Sequence, residues 1–152
     1  MINLRDRIIA GERSAIAKAI TLVESSREED INRSHELISE LIKSPGHAIR
    51  VGLSGPPGVG KSTFIESFGS HIINKNFKLG VLAIDPSSNF TGGSILGDKT
   101  RMSEISKNEN TFIRSTPSRG SLGGIAAGTR EAAIILDAAG YDYIFIETVG
   151  VG

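Results

Sequence analysis

Apolar residues in the first third of the chain recur at helical spacing. Ile8, Ile9, Ile16, Ala19, Ile20 and Val23, then Ile31, Leu37, Ile38, Leu41 and Ile42, stand mostly three and four positions apart. Each run therefore presents one apolar face when wound into a helix. The pattern predicts two helices between Ile2 and about Lys43, broken at Ser25-Ser26-Arg27. They stop at Ser44-Pro45-Gly46, because proline cannot continue a helix. Residues 1–46 thus read as a helical hairpin whose stripes serve packing.

After Pro45 the period changes. Ile49 to Ser54 (IRVGLS), Leu79 to Asp85 (LGVLAID), Thr111 to Arg114 (TFIR) and Tyr143 to Glu147 (YIFIE) are short β-type runs. Helical stretches near Lys61–Asn74 and Ile125–Ala139 separate them. Strands alternating with helices predict an α/β domain over 47–152, with a mostly parallel sheet covered by helices. In such sheets connections are right-handed and ligands sit beyond the carboxyl ends of the strands. Three strand ends carry chemistry: a glycine loop after Leu53, then Asp85, then Glu147.

The 152 residues amount to about one domain. Seventeen basic residues balance seventeen acidic ones, so bulk charge gives no case for nucleic acid or an anionic membrane, and any bound anion must be held locally. The absence of cysteine excludes a disulfide framework, a thiolate metal site and a cysteine nucleophile. No apolar run approaches the ~18–20 residues of a membrane span. The first residues, with Asp6 and Glu12 beside Arg5 and Arg7, match neither a signal peptide nor an acid-poor transit sequence. The expectation is a cytoplasmic protein. Glycine, at 18 residues, is the one excess, and it serves where backbone turns sharply or approaches a ligand.

The first strand runs into Gly55-Pro56-Pro57-Gly58-Val59-Gly60-Lys61-Ser62-Thr63, which satisfies G-x-x-x-x-G-K-[ST]. Glycines at these positions let successive N–H groups point inward around a polyphosphate, and the following helix offers its positive end to the same anion. Lys61 is expected to bridge the β- and γ-phosphates, and the Ser62 hydroxyl to bind Mg²⁺. A sharp turn alone needs no such order of glycines, lysine and hydroxyl. Magnesium requires further hard oxygens, which Asp85 and Glu147 supply at strand ends. If the Glu147 strand lies beside the first strand, Glu147 reaches a metal next to Ser62. Glu147-Thr148-Val149-Gly150 then parallels a D-x-x-G element, with the Gly150 N–H sensing the γ-phosphate. The polar stretch of about 25 residues after Asp85 suits a switch loop, since long irregular segments in compact domains are functional or disordered.

GPPGVGKST at Gly55–Thr63, LAIDPSSNFTGGSILGDKTRM at Leu82–Met102, SRGSLGGIA at Ser118–Ala126 and ETVGVG at Glu147–Gly152 together resemble one family. It is the methylmalonyl-CoA mutase-associated GTPases (MeaB/ArgK type), formerly labelled lysine/arginine/ornithine transport ATPases. The resemblance implies a P-loop NTPase fold and a GTP-hydrolysing chaperone that loads and protects an adenosylcobalamin-dependent mutase, acting as a homodimer. It implies that Lys61 holds phosphates, that Ser62, Asp85 and Glu147 surround Mg²⁺, and that Asp98 sits in a switch loop. Members of the family continue into a base-reading N-K-x-D strand end and a dimerising arm. Here Gly152 falls inside the second switch, and Asn74-Lys75-Asn76-Phe77 lacks the acid. The expectation is therefore a truncated P-loop domain that folds poorly alone, since a sheet flank is left uncovered. Two other readings stay open: an ATPase linked to basic amino-acid transport, and a non-functional remnant.

Overall fold

The computed structural model describes residues 3–56, 58–85, 102–117 and 128–148, without the side chains of Asp85 and Pro117. Its elements are α1 (Leu4–Ile9), α2 (Arg13–Glu24), α3 (Glu28–Leu41), β1 (Ile49–Leu53), α4 (Lys61–Asn74), β2 (Leu79–Asp85), α5 (Ser103–Ser106), β3 (Thr111–Pro117), α6 (Thr129–Ala138) and β4 (Tyr143–Glu147).

The first arm of the expected hairpin is split in two. Asn3 caps α1 by accepting from the Asp6 N–H at 2.9 Å. Gly11, at φ +76°, then turns the chain before α2. Left-handed backbone is easy for glycine alone, so an apolar stripe continuous in sequence is cut by one residue. Arg7 clamps the turn, its Nε donating to Glu12 Oε2 at 2.7 Å. Hydrogen bonds from Arg7 and then from Ser14 hold the Glu12 carboxyl at about 2.

The four strands are all parallel, in the order β1-β4-β2-β3. Their faces feed two separate cores. Ile8, Ile16, Ile20, Leu41, Leu82, Ile135, Leu136 and Ile144 pack on one side, between α1–α3, α6 and the sheet. Ile65, Ile72, Leu79, Val81, Met102, Ile105 and Phe145 pack on the other, beneath α4 and α5. Neighbours such as Val81 and Leu82, or Ile144 and Phe145, go to opposite cores because side chains alternate across a strand. Burial on both faces explains why β2 reads as a near-continuous apolar run.

Polar contacts tie the amino-terminal helices to the sheet. Arg13 donates to the Thr111 carbonyl at 2.7 Å. Glu24, at the end of α2, pairs with Arg114 and accepts from the Thr116 hydroxyl at 2.7 Å. Asp137 of α6 accepts from the backbone N–H groups of Gly46 (3.1 Å) and Ala48 (2.8 Å), fixing the entry into β1. No helix among the described residues is long and apolar enough to cross a membrane.

Two outcomes are expected. Asp137→Ala leaves two half-buried N–H groups without their acceptor and lowers the unfolding free energy by about 1–3 kcal/mol in urea denaturation. Glu12, by NMR titration, protonates near pH 2 rather than 4.5. Because its folded-state value is depressed, any stability it lends is present above pH 4.5 and is lost as the pH falls towards 2.

Candidate functional site

At the carboxyl edge of the sheet β1 opens into a loop that closes on α4. Gly55, Gly58 and Gly60 adopt φ of +152°, +80° and +103°. A Cβ built on Gly58 or Gly60 meets nothing within 4 Å. Glycine is thus required there by backbone conformation and not by crowding from the protein. Gly60 is the left-handed residue that caps α4, and its carbonyl accepts from the Phe64 N–H at 2.9 Å to start the helix. The N–H groups of Lys61, Ser62 and Thr63, the first residues of α4, have no acceptor within the helix, at the end where the helix dipole is positive.

The strand order supplies the second part. Lying between β1 and β2, β4 places Glu147 in register with Leu53 on one side and Ala83 on the other. The Leu53 carbonyl accepts twice from Thr148, from its N–H at 2.9 Å and its hydroxyl at 3.0 Å. Those bonds carry the β1–β4 pairing one residue past the strands. Lys61 then bridges the two strand exits: its ammonium donates to the Gly55 carbonyl at 2.7 Å and to the Thr148 carbonyl at 3.3 Å.

The structure brings Gly55, Pro56, Gly58, Val59, Gly60, Lys61, Ser62 and Thr63 together on one loop and helix start, with Glu147 at the neighbouring strand end. Asp85 closes β2 in register with Pro117, two residues beyond the Ala83 that pairs with Glu147. The Asp85 side chain, Pro57, Asp98 and Gly150 lie outside the described residues. Among the described residues no three His, Asp or Glu side chains cluster to hold a metal. The Glu147 carboxyl at the end of β4 and the Ser62 hydroxyl in the first turn of α4 are nevertheless hard-oxygen donors of the kind that magnesium takes, an ion that keeps several waters and uses few protein ligands. Thr148 was not singled out by the sequence as a partner of Lys61. Its part depends on its carbonyl, which every residue type carries, and so left no signal.

The family model for methylmalonyl-CoA mutase-associated GTPase MeaB matches residues 16–152. The chain belongs to the MeaB family. GTPase ArgK of Escherichia coli is 48% identical over 146 residues, covering 96% of this chain and 44% of that protein. The mitochondrial methylmalonic aciduria type A homolog of Mus musculus is 46% identical over 155 residues, covering 95% of this chain and 37% of its own length. A crystal structure described as LAO/AO transport system kinase superposes with a TM-score of 0.78 at 35% identity, over all of this chain and 46% of that one. The fold is thus the α/β P-loop architecture expected from the sequence. The MeaB-family chain described here spans less than half the length of these relatives.

Gly60→Ala is expected to cost about 1–2 kcal/mol through left-handed backbone strain alone. Equilibrium denaturation checks the value. Little cost would mean that the cap tolerates a side chain and that the loop is not held as described.

Proposed function

We propose that this MeaB-family chain carries the phosphate-binding machinery of a magnesium-dependent GTP hydrolase that assists an adenosylcobalamin-dependent acyl-CoA mutase. The observation that carries the reading is the ammonium of Lys61 held between the Gly55 and Thr148 carbonyls, at the mouth of a left-handed glycine loop. A lysine tethered by two neutral acceptors is already aimed into the cradle. It can exchange those acceptors for the β- and γ-phosphate oxygens, a stronger charge-assisted contact. The loop N–H groups and the start of α4 take the remaining phosphate oxygens.

Ser62, Asp85 and Glu147 would hold Mg²⁺. The ion, when bound, neutralises the charge that builds on the phosphate oxygens. Asp98 and the Gly150 N–H act in this reading as the groups that respond to the γ-phosphate. Phosphoryl transfer asks mainly for positioning and charge stabilisation, so slow hydrolysis that a partner accelerates needs no dedicated base. Family membership supports guanine as the base and a mutase partner; a homodimeric assembly and a cytoplasmic setting complete the reading. The description of the structural neighbour as a transport system kinase favours one second reading, an ATPase linked to basic amino-acid transport.

Competition against a fluorescent guanine nucleotide separates the two. GTP is expected to displace it and ATP is not, whereas ATP binding as tight as GTP favours the transport reading. Lys61→Ala removes a contact worth about 1.5–3 kcal/mol in the bound ground state, and so weakens GTP binding by roughly 10- to 150-fold in calorimetry. Unchanged affinity and rate in that variant refute the assignment. Ser62→Ala is expected to abolish the dependence of turnover on magnesium concentration in the low-millimolar range.

A further inference from the structure

One carboxylate near the loop is used by nothing above. Glu66 stands four residues after Ser62 on α4, and Gly69 three residues further on. The three share one side of the helix, since residues three and four apart lie one above the other. That side faces α5: a Cβ built on Gly69 comes within 3.4 Å of the Ile105 Cδ1 and 2.9 Å of Leu79 Cδ2. Ile65, Met102 and Ile105, all fully buried, fill the space between the two helices. The opposite side carries Phe64 and Phe68, which stack over Phe145 of β4.

Glu66 spans the α4–α5 contact. Its Oε1 accepts from the Glu104 N–H at 3.0 Å, in the first turn of α5. Its Oε2 is out of solvent and, among the described residues, has no hydrogen-bond partner. A buried carboxylate oxygen without a donor is costly, and native folds keep few. Packing does not require one here, because a neutral glutamine could make the same clasp to Glu104. In sequence, Glu104 follows Asp98 by six residues, and the clasp fixes the first turn of α5 against α4.

We propose that Glu66 is a positioning residue for nucleotide turnover. One of its oxygens holds α5 against the phosphate-loop helix. The other is kept free for a hydrogen-bond donor, an N–H or O–H, that reaches it only in the magnesium-nucleotide state. The inference rests on the GTPase reading above. It assigns Glu66 no contact with the nucleotide.

Glu66→Gln, made in the full chain beside Lys61→Ala, tests it. Glutamine retains one acceptor for Glu104 and replaces the free oxygen by a donor. Turnover is expected to fall about 10- to 100-fold, the scale of a catalytic group set slightly out of place. KM for GTP and the melting temperature of the ligand-free protein should stay near those of the parent. Amide exchange at Glu104 should slow when a non-hydrolysable GTP analogue and magnesium are added to the parent, and slow less in Glu66→Gln. Turnover within twofold of the parent overturns the proposal, as does a loss that appears in KM or follows a lowered melting temperature. If Lys61→Ala is inactive while Glu66→Gln is intact, only the Glu66 assignment fails. A parent that neither binds nor hydrolyses GTP overturns both readings.

Discussion

The site depends on the pairing of β1 with β4 and on its continuation through Thr148. By accepting both donors of Thr148, the Leu53 carbonyl locks the exit of β4 against the entrance of the glycine loop. Lys61 then rests on Thr148 as well as on Gly55. A cation held at two points by backbone carbonyls loses little further freedom when an anion replaces them. Backbone acceptors also cannot be removed by substitution, so the arrangement tolerates drift in the side chains around it.

That pairing sets β1, whose residues are half-buried or exposed, against β4, whose Ile144 and Phe145 are buried on opposite faces of the sheet. With strands in the order β1-β4-β2-β3, β4 and β2 lie inside, and their alternating residues feed two cores at once. One core is shared with α1, α2 and α3, so the amino-terminal helices act as a wall of the α/β unit. Arg13 and Glu24 fasten that wall to β3 by contacts to Thr111, Arg114 and Thr116. The other core lies under α4, the helix that carries Lys61 and Ser62. Shifts at the loop can therefore pass through Ile65 and Ile105 to α5, since close-packed interiors transmit strain.

Membership of the MeaB family and the local geometry support the same reading from different directions. GTPase ArgK of Escherichia coli is 48% identical over 96% of this chain, while the left-handed glycines and the Lys61 tether are features of this chain's own structure. The reading joins them at the carboxyl edge of a parallel sheet, where α/β folds place their ligands.

Local rules determined much of this protein in advance. The glycine loop, the four strands, the stop at Pro45 and the helices α4 and α6 were legible because period, proline and glycine act over a few residues, whereas α5 lies in the stretch after Asp85 that reads as irregular, since a helix of four residues is too short to show a period. The break at Gly11 was missed, since a lone glycine in an apolar stripe is compatible with an unbroken helix and its positive φ is set by how α1 and α2 pack. Strand order lay beyond the sequence too: that Glu147 stands beside Leu53 depends on pairing between residues about ninety apart. The Thr148 carbonyl and the unpartnered oxygen of Glu66 were likewise decided only by the fold. A carbonyl has no residue identity, and a glutamate on a helix looks the same whether water or a second helix lies against it.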